Sequence, residues 1–397
     1  MNIIYLFVIY IYLTNSFLTS IYYLKIGPIY LSEFLLALAF VFYLPSSIRF
    51  FSKRYNHILI VYALIAMITL VNLFRGIEYG ADALRDAALF FYPVVLLIII
   101  PQFQNIRLST LLKVIIFCTI ILMTAIIINF FQLLNLIDFF NIPRIAVARD
   151  AGLLTLGLIS TVIYYNKFKN HKSLILFIYI QIIFIVLSTF ITRNVIIGFI
   201  IIIIFLFIKI SEFKKYLLKK IWILIPLISF VIITNNVLSG FYNINILNSI
   251  IFRSEDARNL SYGTQGWRLW MWMQGVNNTT TNNFIIGNPL GSGTGYSEYD
   301  EKYQSVIRAQ FHNGYVAIYY YGGVLMFILY LLFIKFILSG SSKGNVTTTS
   351  LITAVGIFYL VISAFNVIIE SPQSALPFWF TIGLIFSIKK KILQITK

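Results

Sequence analysis

The stretch Thr192-Arg193-Asn194-Val195-Ile196-Ile197-Gly198-Phe199-Ile200-Ile201-Ile202-Ile203-Ile204-Phe205-Leu206-Phe207-Ile208-Lys209 carries charge only at its two ends, arginine at one and lysine at the other. A long run that is apolar on every side is a helix in lipid, where each backbone N–H and C=O must find its partner within the segment. The same pattern recurs along the chain. Of the 397 residues, 60% are hydrophobic and 11% charged, and the mean hydropathy is +0.90. Apolar runs place twelve expected spans at about 3–23, 29–44, 57–74, 87–100, 111–134, 151–165, 174–190, 194–208, 221–238, 314–334, 351–369 and 375–388. Residues 1–397 therefore read as one all-α polytopic transmembrane bundle. Ile3 to Tyr23 lacks a basic leading region and a small-residue cleavage site, so it reads as a retained span and not a signal peptide. Cys118, the one cysteine, falls inside an apolar run, which excludes a disulfide or a Cys-based metal site within the chain.

The contrast between Arg193 and Lys209 extends to the whole chain. The net charge is +17, but the cations sit in short loops between spans, which points to membrane topology and away from nucleic acid. One set of loops holds 16 of the 18 lysines and three arginines, Arg49, Arg54 and Arg107, with Glu212 as its one acid. By the positive-inside rule this side, with both termini, is cytoplasmic. The other side holds nine of the twelve arginines: Arg75, Arg85, Arg144, Arg149, Arg193, Arg253, Arg258, Arg268 and Arg308. Lysine and arginine serve equally as topological anchors, but only the planar guanidinium makes forked contacts to phosphate. Arginines kept on the side the rule tends to empty of positive charge point to an anionic ligand there.

One connection is long. Residues 239–312, between the ninth and tenth spans, form an external loop too long for a passive linker. Within it, Trp267, Trp270 and Trp272 suit a short helix lying in the membrane interface, as an aromatic anchor or a substrate platform. Gly291-Ser292-Gly293-Thr294-Gly295 has the composition of a phosphate cradle but follows no clear strand and opens no clear helix, so a flexible turn is the plainer reading. Glu298, Asp300 and Glu301 read as a solvated acidic face, and no metal site is expected. No Walker A sequence and no internal repeat occurs.

Three positions carry most of the possible chemistry. His312 is the only histidine on the outer side, at the start of the tenth span, where it could be a general base or a plain hydrogen-bonding residue. Arg193 lies in a tight outer turn, where a charge also simply snorkels to water. Arg268 lies among the tryptophans. Arg85 with Asp86, and Arg144 and Arg149 with Asp150, stand at the mouths of the fourth and sixth spans, where each cation also has an acid to pair with.

These residues together resemble a family. Thr192-Arg193-Asn194, then Gly266-Trp267-Arg268-Leu269-Trp270, Gly287-Asn288-Pro289-Leu290-Gly291-Ser292-Gly293, Phe311-His312-Asn313-Gly314-Tyr315 and Tyr321-Gly322-Gly323 are similar in type and order to the Wzy-type O-antigen polymerase and O-antigen ligase superfamily. Relatives often have Ser-Arg where this chain has Thr192-Arg193. The resemblance implies a glycosyltransferase of the bacterial inner membrane that polymerises undecaprenyl-diphosphate-linked oligosaccharide at the outer face, without a cofactor or metal. It implies His312 as base, Arg193 and Arg268 as diphosphate ligands, and Arg85, Arg144, Arg149, Arg253, Arg258, Arg308, Asn313 and Tyr315 as secondary substrate contacts. Its further partners are membrane lipids, a chain-length regulator and a flippase of the same pathway. Two alternatives remain: a ligase passing the glycan to lipid A core, and a transporter of the lipid-linked unit.

Overall fold

A computed structural model describes residues 3–17, 24–26, 29–103, 106–133, 148–168, 172–191, 193–209, 264–277, 279, 283–293, 297–300, 305–308, 311, 313–338, 346–365, 369 and 372–395. Helices dominate them: α1 Ile3–Thr14, α2 Leu31–Arg54, α3 Asn56–Arg75, α4 Ala81–Phe91, α5 Val94–Gln102, α6 Leu108–Leu133, α7 Ala148–Phe168, α8 Lys172–Ile191, α9 Arg193–Lys209, α10 Thr264–Asn277, α11 Gly314–Leu338, α12 Val346–Ser363 and α13 Pro372–Ile395. Two small antiparallel hairpins join them, β1 Lys25–Ile26 with β2 Ile29–Tyr30, and β3 Ser297–Asp300 with β4 Ser305–Arg308. Five segments are long and apolar enough to cross a membrane: Leu31–Arg54, Asn56–Arg75, Ala81–Gln102, Leu108–Ile128 and Gly314–Leu338. Shorter apolar helices accompany them. The expected span at 221–238 lies outside the described residues, and a described helix falls within each of the others.

Burial sorts the helices into layers. Residues 94–100 of α5 and 374–388 of α13 are buried throughout, as expected of all-round apolar helices at the centre of a bundle. On α2 and α3, large apolar side chains such as Val41, Phe42 and Phe74 are exposed, which is the arrangement of helices that face lipid.

Two boundaries differ from the sequence reading. The second span was expected to stop at residue 44, but α2 continues through Pro45 to Arg54. Proline removes one N–H and frees the carbonyl four residues earlier, here on exposed Val41. The Ser47 hydroxyl lies 2.8 Å from both Tyr43 O and Leu97 O, and its one proton serves either carbonyl, the first near the proline and the second joining α2 to α5. The fourth span was expected at 87–100, but its helix starts at Ala81 and is interrupted at Tyr92-Pro93. Arg85 and Asp86 therefore lie within α4.

Ring contacts fix which ends meet. His57 packs on Phe336 at 4.8 Å and Tyr62 on Phe333 at 5.8 Å, while Asn72 reaches Tyr321, so α3 and α11 run antiparallel. Tyr55 packs on Phe386 at 5.0 Å, bringing the α2–α3 turn beside the end of α13. One end of the bundle thus gathers Arg49, Lys53, Arg54 and Lys335. The opposite end gathers Glu33, Arg75, Arg85, Asp86 and the start of α11.

Candidate functional site

The arginine end is organised around a break in α11. Gly323 has φ 66° and ψ −173°, which divides the helix into residues 314–322 and 324–338. The break is sharp. Residues 315 and 327 would be about 18 Å apart along a straight helix. The Tyr315 and Phe327 rings instead lie 6.5 Å apart.

A broken helix in lipid needs new partners for its freed backbone groups. The segment 283–290 supplies them. Val324 N–H donates to Phe284 O at 2.9 Å and Leu325 N–H to Ile285 O at 3.1 Å. Tyr320 O accepts from Asn288 N–H at 2.8 Å and from its carboxamide Nδ2 at 3.2 Å. Gly287 and Gly323 let these two backbones meet. A Cβ at Gly287 would lie 2.4 Å from Gly322 N, and one at Gly323 2.3 Å from Ile285 O. Gly287 (φ 85°), Gly291 (φ 89°) and Gly293 (φ 64°) all take left-handed backbone that disfavours a side chain. Gly291 N–H donates to the Asp86 carboxylate at 3.0 Å, and the Tyr320 hydroxyl donates to Gly293 O. The reading of the run 291–295 as a flexible turn is corrected for its described part, 291–293, which is bonded to α4 and α11.

Asn72 and Arg75, one helical turn apart at the end of α3, lock this loop. Asn72 is 1% exposed, and its Nδ2 donates to Ile286 O at 2.5 Å and Tyr321 O at 2.9 Å. Its backbone carbonyl accepts from Leu290 N–H at 3.1 Å. Arg75 Nη1 donates to Asn72 Oδ1 at 2.7 Å and Gly287 O at 2.8 Å, and Nη2 donates to Asn283 Oδ1 at 2.6 Å. Asn283 in turn donates to Asn288 Oδ1 at 2.8 Å.

Beside this framework, α10 crosses the start of α11. Its residues Arg268, Trp272 and Gly275 share a face at helical spacing. Trp272 Nε1–H donates to Phe311 O at 2.8 Å. A Cβ at Gly275 would meet Phe311 Cε1 at 2.4 Å, so α10 lies directly on this ring. Arg268 Nη1 donates to Phe365 O at 3.2 Å, just past the C-terminus of α12. That is the negative end of the α12 dipole. Burial holds the Arg268 guanidinium below the ordinary arginine value, because desolvation penalises its charge. Next to it, Asn313 caps α11. Its Oδ1 accepts from Tyr315 N–H at 3.0 Å and Val316 N–H at 3.2 Å. The Tyr315 hydroxyl donates to Leu360 O at 2.8 Å and joins α11 to α12.

The sequence-predicted site residues therefore separate. Arg268, Asn313 and Tyr315 come together where α10, α11 and α12 meet. Asn313 and Tyr315 each have a structural task there, in capping and in helix pairing. Arg85 stands apart on α4, exposed, one turn after Asp82. Arg193 and Arg149 fall within the first turns of α9 and α7, and Arg308 ends β4 opposite Ser297, but their side chains lie outside the described residues. His312, Arg144, Arg253 and Arg258 lie outside them entirely. The tryptophan cluster is helical, as expected, in α10. The acidic group is partly a strand: Glu298 and Asp300 alternate along β3, opposite Ile307 and Ser305.

Sequence reasoning missed the Asn72–Arg75–Asn283–Asn288 network and the role of Glu33. The Glu33 carboxylate accepts from Tyr30 N–H at 2.9 Å and from the Tyr92 hydroxyl at 2.5 Å, joining the start of α2 to the α4–α5 interruption. The signals were an asparagine buried in an apolar run three residues before an arginine, and the pair Gly322-Gly323 inside a span. In comparisons with known proteins, the chain matches no family model and no curated protein significantly.

Proposed function

We propose that this chain is a membrane glycosyltransferase that polymerises oligosaccharide repeat units carried on undecaprenyl diphosphate at the outer face of a bacterial inner membrane. The observation that carries the reading is Arg268, a partly buried cation beside the start of α11, where the sequence runs Phe311-His312-Asn313. An anion beside a desolvated guanidinium recovers part of the lost hydration, and the effect grows as charge develops on a leaving diphosphate. In the proposed reaction an acceptor hydroxyl attacks the anomeric carbon of the donor glycan. The new C–O bond forms as the anomeric carbon–phosphate oxygen bond breaks, and the lipid diphosphate leaves with the electron pair. The hydroxyl proton passes to neutral His312, acting as general base. Arg268 and Arg193 stabilise the departing diphosphate, with Arg85, Arg144, Arg149, Arg253, Arg258 and Arg308 as secondary cations. The membrane topology proposed with it puts both termini and the lysine-rich end in the cytoplasm and 239–312 outside.

A second reading has one observation in its favour. Broken helices packed against irregular backbone also occur in transporters, so the interruption at Gly323 suits a flippase for the lipid-linked unit. A ligase would share the donor chemistry and differ in its acceptor. Deleting the gene and resolving the surface glycan on a gel separates the polymerase from the other two. A single repeat unit on lipid core supports the polymerase, and absence of glycan from the core overturns it in favour of ligase or flippase.

A further inference from the structure

Arg75 belongs by position and residue type to the group of arginines assigned above to an anionic ligand. Its geometry differs from theirs. Both amino groups of its guanidinium are engaged with neutral oxygens: Asn72 Oδ1, Gly287 O and Asn283 Oδ1, at 2.6–2.8 Å. Two of those three acceptors belong to the loop that fills the break in α11. Asn72, which Arg75 holds through its Oδ1, bonds the loop at Ile286 O and the break itself at Tyr321 O. The connection runs in a line from the end of α3, through residues 283–288, to the backbone at 320–325. The half-helix 314–322 on the far side of the break is capped by Asn313 and carries Tyr315 and Val316, and the last of these packs against α10 at Gly275.

We infer that Arg75 is a positioning residue for the proposed transfer. It fixes the loop 283–288, which fixes the angle at Gly323, which sets the half-helix 314–322 beneath Arg268. Arg75 touches no substrate and acts through the loop. This rests on the glycosyltransferase reading for its link to the reaction, but not for its geometry. The planar fork is essential, since one amino group bonds both the α3 side and the loop while the other reaches Asn283. A lysine at the same place carries the charge on one nitrogen and cannot reproduce that spacing.

Two measurements test it. The first reads the angle without activity. With buried Cys118 replaced by serine, spin labels at exposed Met273 on α10 and exposed Leu331 in the lower half of α11 span the break. Arg75→Gln should broaden or shift their distance distribution, and Asn283→Ala, which leaves the arginine in place, should do the same. Distances like those of the parent protein in both variants would overturn the inference. The second reads the reaction, using purified protein and lipid-linked repeat units. Arg75→Gln and Asn283→Ala should each lower kcat by roughly 10- to 100-fold with KM nearly unchanged, the size of effect expected from a displacement of about 1 Å. Arg75→Lys should not rescue. A diphosphate ligand would behave differently: Arg75→Gln would slow transfer while leaving the label distances unchanged, and Asn283→Ala would be silent in both measurements, which would overturn a positioning role. Shifted distances with unaffected transfer would equally overturn the link to the reaction.

Discussion

Arg75 and Arg268 stand at the same end of the bundle, both partly buried, and their surroundings differ in kind. Arg75 makes three hydrogen bonds with α3 and the loop, so that both amino groups of its fork are held by framework oxygens. Among the described residues, Arg268 makes one, to Phe365 O, and burial lowers its pKa. A guanidinium has five N–H donors. An arginine whose donors are matched by backbone and carboxamide oxygens is part of the fold. One that is desolvated with a single partner among the described residues suits the anion-binding role proposed for Arg268. Residue type and membrane side alone give the two the same reading, and only the partners distinguish them.

The comparison can be broken at several strengths. The largest effect is expected at His312, which follows the Phe311 carbonyl held by Trp272. His312→Ala should reduce polymerisation by roughly 10²–10⁴-fold, as for loss of a general base. Its residual activity should lack the acid limb of the wild-type pH profile, because a base works only while neutral. An unchanged acid limb would remove His312 from that role. Next come Arg268→Lys and Arg193→Lys, which keep charge but lose the fork. Each should cost about 2–4 kcal/mol in the transition state, or roughly 30- to 1000-fold in rate, at normal protein levels. Full polymerisation in both variants would erase the distinction between Arg268 and Arg75.

Asn72→Ala sharpens the other side. It strips donors from two carbonyls at the break, and each buried acceptor left unmatched should cost about 1–3 kcal/mol. The readout is thermal unfolding of purified protein. Trp272→Phe keeps the ring but loses the bond to Phe311 O, a cost of about 1 kcal/mol by the same assay. At the bottom of the scale, Arg49→Lys at the lysine-rich end should leave both activity and stability unchanged.

The helices were legible because the choice between lipid and water is written in each segment locally. The runs at 111–134 and 314–334 need no distant partner to be recognised. What escaped was closure between distant segments. Pro45 looks like a stop until Ser47 is seen bonded to Leu97, and Gly291-Ser292-Gly293 looks like slack chain until Asp86 and Tyr320 are seen holding it. The candidate site was legible in its residue types, Arg268 and Asn313 above all, and illegible in their tasks. Asn313 reads equally as a ligand or a cap, and its side-chain oxygen bonds the first turn of α11. Arg75 was counted with the outer cations because its loop partners lie 208 and 212 residues away, beyond any local pattern.

That separation has a consequence in time. Asn72 and Arg75 leave the ribosome long before the residues that bond them, and the last partner, Tyr321, follows Asn72 by 249 positions. At typical synthesis rates of roughly 5–20 residues per second, α3 waits on the order of 10–50 s with a carboxamide and a guanidinium at its end lacking their mates. Throughout that interval the helix can be inserted but not seated. The guanidinium can reach the water at the membrane surface during the wait, whereas the carboxamide, one turn deeper, has less access to it. The arrival of residues 283–325 therefore completes the bonding at the end of α3, and a nascent chain halted before it would present an incomplete bundle to the membrane's quality control.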